Sequence, residues 1–152
     1  MEIASSTEAA RHKVEGGQTM KKEIISPQGV WKPSPPYFFS QGIKVSGGSL
    51  LFLSGQVPVD ADGKTVGAGD ARAQARQVLE NVKRLVETAG GSLRDVVKLV
   101  VYLPDIQKAK EIWEVRAEYF SDPAPCSTGL EVKGLASPDW YLEVDVWAVI
   151  PD

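Results

Sequence analysis

The amino-acid sequence predicts an α+β domain in which two helices cover one face of a mixed β-sheet. Three observations carry that expectation. Between Asp70 and Ala89, apolar residues recur at helical spacing. Residues Val96–Leu103 read VVKLVVYL, a run rich in β-branched side chains. Residues 141–150 alternate between two chemically distinct faces.

The elements follow in chain order. Residues 1–20 are polar, contain Gly16 and Gly17, and meet the basic pair Lys21 and Lys22 just after Met20. They are expected to be a flexible tail, or leader from an upstream start, ahead of a domain over residues 21–152. The only histidine, His12, lies in this tail. Glu23, Ile24 and Ile25 form a short strand candidate. Pro33, Pro35 and Pro36 then impose an extended segment, because proline fixes φ and restricts the residue before it. Residues 42–45, a Ser-Gly-Gly turn and residues 50–54 read as a β-hairpin. Residues 60–63 form a turn-rich loop.

Asp70 opens a long helix whose inner face carries Ala75, Val78, Leu79, Val82, Leu85, Val86 and Ala89. Gly90 and Gly91 end it. After the strand Val96–Leu103, Asp105 caps a second helix. Its inner face presents Ala109, Ile112, Trp113, Arg116, Tyr119 and Phe120, and Asp122-Pro123-Ala124-Pro125 stops it. Strands follow at 128–132 and 141–150. In the last strand Leu142, Val144, Val146, Ala148 and Ile150 share one face. Tyr141, Glu143, Asp145, Trp147 and Val149 share the other. The first face suits helix packing. The second mixes aromatic, acidic and apolar groups, which suggests a subunit interface or a pocket, or else a half-exposed sheet with scattered aromatics.

Composition narrows the function classes. The chain has 152 residues, of which 43% are hydrophobic and 24% charged, values usual for one globular domain. Lys and Arg number 17 against 20 Asp and Glu, a formal net charge of −3. Nucleic-acid affinity comes largely from phosphate neutralisation, so a nucleic-acid partner is not expected. No apolar stretch reaches membrane-spanning length, so no membrane partner is expected. A single cysteine, Cys126, excludes an internal disulfide and points to a reducing compartment, the cytoplasm. No phosphate-cradling glycine motif links a strand to a helix. Nucleotide binding is therefore not expected.

Several segments resemble the Rid/YjgF family of reactive-intermediate deaminases. Residues 50–64, LLFLSGQVPVDADGK, are similar to the family's strand and following loop. Residues 70–105, DARAQARQVLENVKRLVETAGGSLRDVVKLVVYLPD, are similar to its first helix and next strand. Pro125, Glu131 and Val132, then Leu142-Glu143-Val144, continue the match, and Phe39-Ser40-Gln41 resembles an early aromatic-x-Gln segment. The resemblance covers nearly everything after Lys22. It implies a chorismate-mutase-like fold of the bacillus type, assembled as a homotrimer around a central β-barrel, with pockets at the subunit interfaces. It also implies hydrolysis of reactive enamines and imines, such as 2-aminoacrylate, to a keto acid and ammonia, with no metal and no organic cofactor. Some relatives carry an endoribonuclease label, which the charge and the lack of a histidine in the folded part do not support.

The site residues follow from the same resemblance. The family's arginine, which forks to a substrate carboxylate, falls at Ser127. The early aromatic falls at Phe39. The last-strand glutamate is kept as Glu143, which could place water or move a proton, or instead pair across an interface. Ser127 and Thr128 could donate hydrogen bonds to a ligand, Gly129 would leave room for it, and Gly55 is counted with the substrate-binding residues. Cys126 either lines the pocket, or acts as a nucleophile if its pKa is lowered, or is a small buried apolar residue. Trp113 either lies near the pocket or belongs to the core. Arg116 either supplies a substitute cation from the helix side or packs its stem while its head reaches solvent or an acid. Trp140 and Trp147 are candidate interface anchors. The catalytic candidates are therefore Glu143 and Ser127. Because a hydroxyl cannot replace a charge, the expected substrate is an imine or enamine larger or less anionic than 2-aminoacrylate. The alternative is a non-catalytic trimer that binds a small metabolite or a partner protein.

Overall fold

Strand β1 (Lys21–Ile25) is followed by β2 (Gly42–Ser46), β3 (Ser49–Gln56), helix α1 (Ala71–Thr88), β4 (Val96–Leu103), α2 (Ala109–Tyr119), β5 (Cys126–Glu131) and β6 (Glu143–Ile150). The structure, a computed structural model, describes residues 19–33 and 38–152. His12, most of the expected tail, and Pro35 and Pro36 lie outside the described residues.

The main sheet has the order β3-β6-β4-β5. Strands β4 and β5 are parallel, and β6 runs antiparallel to both β3 and β4. Parallel neighbours need a crossover, and α2 supplies it between β4 and β5. Strands β3 and β4 also run the same way, joined through α1 with β6 between them. Both crossovers travel in the same direction along the sheet, so the right-handed rule puts both helices on one face. The helices meet there: Arg76 pairs with Glu118 at 2.9 Å, and the Tyr119 hydroxyl donates to Glu80 at 2.9 Å. The α+β layer read from the sequence is therefore present.

The core lies between that face and the helices. Val78, Val82 and Val86 of α1 meet Leu99 and Val101 of β4 and Val144, Val146 and Ala148 of β6. Each Val or Leu among them, once buried, contributes about 1.5–3 kcal/mol. Helix α1 begins where expected, with the Asp70 carboxylate accepting from the amides of Arg72 and Ala73. Gly90 follows it with φ of 90°.

Three expectations need correction. First, β2 and β3 do not form a hairpin. Strand β2 pairs with β1 in a separate two-stranded sheet, and β3 pairs with β6. Gly47 and Gly48 both have positive φ, which looks locally like a hairpin turn. Yet a Cβ at Gly48 would lie 2.7 Å from the Ile150 carbonyl oxygen. The glycine serves the close approach of β6, and the long-range pairing overrides the local turn.

Second, Leu85 is 41% exposed and Ala89 is exposed too, so neither belongs to the inner face of α1. One residue is 100° of helix, and Leu85 beside buried Val86 points off the stripe. The polar Gln74 takes a place in the core that the apolar pattern missed. Third, the buried face of α2 is centred on Ile112, Val115 and Arg116, with Trp113 and Tyr119 only partly covered. Asp105 caps a 3₁₀ turn, Ile106–Lys108, that leads into α2.

Candidate functional site

Register fixes which face of the sheet each candidate occupies. Ser127 stands beside Leu99, and Gly129 beside Val101, both on the helix-covered face. Cys126 stands beside Lys98 and Thr128 beside Val100, on the outer face. Glu143 stands beside Tyr102 and Asp145 beside Val100, also on the outer face. Within one chain, Ser127 and Glu143 therefore lie on opposite sides of the sheet. The expected residues gather in two groups, not one.

The first group lies at the β5 edge, under α2. Arg116 is only 8% exposed. Its Nη1 donates to Ser127 Oγ at 2.5 Å and its Nη2 to the Phe38 carbonyl at 2.8 Å. The guanidinium carbon lies 4.9 Å from the Trp113 ring centre, within cation–π range. Burial lowers the guanidinium from its usual value to about 10, so it remains charged at neutral pH. The Trp113 indole fills the space above Gly129: a Cβ there would fall 2.7 Å from Cζ2 of the ring. Ser40 ties the segment before β2 to this corner, its amide donating to the Pro125 carbonyl at 3.2 Å and its hydroxyl to Ala124 O. Phe39 is half-buried, with its ring 5.9 Å from that of Trp31.

The second group lies on the outer face. Strand β3 bulges between Leu53 and Gln56, where its register against β6 shifts. Gly55 sits in that bulge, and the Glu143 carboxylate lies over it: a Cβ at Gly55 would meet Glu143 Oε1 at 2.0 Å. Glu143 makes no hydrogen bond or ion pair among the described residues. Its neighbour Asp145 accepts from the Tyr102 hydroxyl at 2.8 Å. That hydrogen bond holds the proton on the phenol and raises the Tyr102 pKa. Lys98 Nζ donates to Thr128 Oγ1 at 2.6 Å. Cys126 is a half-buried free thiol. The same face carries Phe52 opposite Trp147, and Leu50 two residues away; Phe52 is 65% and Leu50 70% exposed.

Trp140 is engaged inside the chain, where its indole N–H donates to Thr65 Oγ1 at 3.0 Å. A cleft of about 690 Å³ opens near the C-terminal ends of the two helices, lined by Lys22, Tyr119, Phe120 and Pro125 among others. None of the expected site residues lines it. The outer face in a single chain is an open sheet, and a sheet becomes a pocket only when something stands over it. Among the described residues no three His, Cys, Asp or Glu gather as metal ligands, and no helix is long and apolar enough to cross a membrane.

The Arg116–Ser127 contact is the relationship that sequence reasoning left open. Its signal was present: a cation at 116, in the inner register with Trp113 and Tyr119, must either be paired or reach out. The identity of its partner depends on β5 lying parallel to β4 and under α2.

Comparison with known proteins places most of the described domain beside relatives in sequence and fold. The family model described as Endoribonuclease L-PSP matches residues 32–150. A RutC family protein of Pyrococcus horikoshii is 42% identical over 127 residues, covering 84% of this chain and 97% of that one. The 3-aminoacrylate deaminase RutC of Acinetobacter baylyi is 38% identical over 125 residues, covering 82% and 95%. The crystal structure of the conserved Rid-family protein YyfB of Yersinia pestis superposes with a TM-score of 0.76 at 30% identity, over 85% of this chain and 98% of that one.

Proposed function

Because this chain belongs to the Rid/YjgF family, described also as Endoribonuclease L-PSP, we propose that it is a hydrolytic deaminase of a reactive imine or enamine metabolite. It works as a homotrimer, with the pocket between neighbouring subunits. The observation that carries this reading is Glu143, a half-buried carboxylate over Gly55 that makes no hydrogen bond or ion pair among the described residues. The name of the Acinetobacter relative, a 3-aminoacrylate deaminase, supports the reaction class.

The chemistry needs little from the protein. An enamine takes a proton at carbon, gives one up from nitrogen and becomes an imine. Water adds to the imine carbon, losing a proton as the nitrogen gains one. The resulting carbinolamine collapses, the C–N bond breaks, ammonia leaves and a carbonyl remains. Glu143 accepts the proton from the attacking water and returns it to the departing nitrogen. The exposed Phe52 and Leu50 beside it fit a face that a neighbouring subunit covers. Thr128 and Lys98, on the same face, offer polar contacts at its β5 edge.

The test is ammonia release from a panel of imines generated in situ, small and bulky. Wild type should accelerate hydrolysis of at least one, and Glu143→Gln should lower that rate by about 10²–10⁴-fold. No acceleration across the panel would sink the reading. One observation favours a second reading, a non-catalytic trimer that binds a metabolite or a partner protein: a neutral serine stands where the family's arginine is expected. Saturable binding without turnover, unaffected by Glu143→Gln, would select it.

A further inference from the structure

We propose that Tyr102 is a specificity-determining residue of this site, its phenol oxygen accepting a hydrogen bond from the nitrogen of the substrate. The substrate class that follows is an imine or enamine whose nitrogen carries hydrogen. The inference rests on the deaminase reading and on Glu143 as its base.

The direction of one hydrogen bond carries it. A phenol has one proton to donate and lone pairs that accept. Tyr102 commits its proton to Asp145, whose Oδ2 lies 2.8 Å away. An ionised carboxylate can only accept, so the bond has one possible polarity. The Tyr102 pKa is raised, first by this bond, then by burial and by the charges of Asp145 and Glu143. The proton therefore stays on the phenol at neutral pH, and the oxygen meets its surroundings as an acceptor. Among the described residues no group donates to it. A phenol that donates to an anion is also polarised into a better acceptor.

Position gives that acceptor a partner. Tyr102 on β4 and Glu143 on β6 face each other across the strands of the outer face, and both are half-buried. Their polar ends diverge. The Glu143 carboxylate lies over Gly55 of β3, while the Tyr102 hydroxyl reaches diagonally to Asp145. Acid and phenol thus flank β6 from its β3 and β4 sides. Neighbouring strands lie about 4.8 Å apart, so two spacings span about 10 Å. A water bonded to the acid, the imine carbon it attacks, the nitrogen and an N–H···O bond need about 8 Å. The substrate then lies across β6, its carbon towards Glu143 and its nitrogen towards Tyr102.

The contact strengthens as the reaction proceeds. Once the carbinolamine nitrogen has taken its proton it is cationic, and its N–H bond to the phenol oxygen is charge-assisted. Binding that grows towards the transition state raises kcat and does not merely lower KM. Asp145 does not touch the substrate in this arrangement. It is a positioning residue that keeps the phenol proton from pointing at the nitrogen, where O–H would meet N–H.

The experiment follows carbonyl formation by the full chain from two iminium substrates of one carbonyl compound, generated in situ. One carries N–H and the other is N,N-dimethylated. Tyr102→Phe should lower kcat/KM for the N–H substrate by about 10- to 100-fold, mostly in kcat, and leave the dimethyl substrate at its wild-type rate. Asp145→Asn, whose amide oxygen still accepts the phenol proton, should stay within about 3-fold of wild type, whereas Asp145→Ala should lose about 10-fold. Thermal melts check that each variant is folded, and should Tyr102→Phe not fold, the two Asp145 variants decide. The inference is overturned if folded Tyr102→Phe keeps wild-type activity on the N–H substrate or slows both substrates equally. It is also overturned if Asp145→Asn falls as far as Asp145→Ala. Each of these results leaves the deaminase reading standing, since the hydrolysis itself remains. A wild type that accelerates neither substrate overturns both.

Discussion

The Glu143 carboxylate rests on Gly55 so closely that a single added methyl carbon would fall 2.0 Å from its Oε1. The bulge in β3 brings that backbone up beneath the acid, and only a residue without Cβ leaves the acid where it is. Gly55→Ala should therefore push the carboxylate aside without unfolding the sheet, since the end of a flexible side chain can move. Activity should fall by about 10²-fold, the usual result of misplacing a reacting group by an ångström. Ammonia release with a thermal melt as control checks this. Unchanged activity in a well-folded variant would remove Glu143 from the proposed chemistry.

The outer face predicts an assembly. Phe52 lies opposite Trp147, and a face this apolar is seldom left in water. Wild type should sediment with the mass of three chains. Phe52→Lys should sediment as a smaller species and lose any hydrolytic activity with it. A monomeric wild type would contradict the proposed intersubunit pocket.

Gln74 predicts a cost in stability. It is fully buried, donates to the Asp139 carbonyl and accepts from the Tyr141 amide, both at 2.8 Å. These bonds hold the segment leading into β6 against α1. Gln74→Leu keeps the volume but leaves two backbone groups without partners, and should destabilise the fold by about 2 kcal/mol. The urea midpoint should drop with the slope unchanged. A midpoint equal to wild type would mean that water replaces both bonds.

Tyr119 predicts an alkaline pH dependence. Burial first, and the hydrogen bond to Glu80 second, raise its phenol to about 12. A raised pKa means the folded state holds the proton more tightly than the unfolded chain. The stabilisation is complete below about pH 10 and is lost as pH rises towards 12. Arg116, lowered by burial to about 10, acts in the opposite sense over the same range, so wild type must be compared with Tyr119→Phe, which shares it. The stability difference between the two should close between pH 10 and 12. A constant difference would show that Tyr119 titrates at its ordinary value.

The layer, the helices, the β4 run and the two faces of β6 were legible in the sequence because each is written in local periodicity. Val78, Val82 and Val86 recur every turn, and Val144, Val146 and Ala148 at every second residue. Asp70 announces its helix because the cap acts on amides only two and three residues away. What only the tertiary structure decided has contributors far apart in the chain. Strand β3 leaves the neighbour that its glycine turn suggests because β6, nearly a hundred residues later, offers a longer register. Ser127 and Glu143 part to opposite faces because β5 joins β4 in parallel while β6 joins it antiparallel, in a register no local pattern encodes. Ser127 accepts a hydrogen bond from Arg116, eleven residues earlier on another element. Composition shows the charge, but only the crossing of α2 over β5 determines where it is delivered.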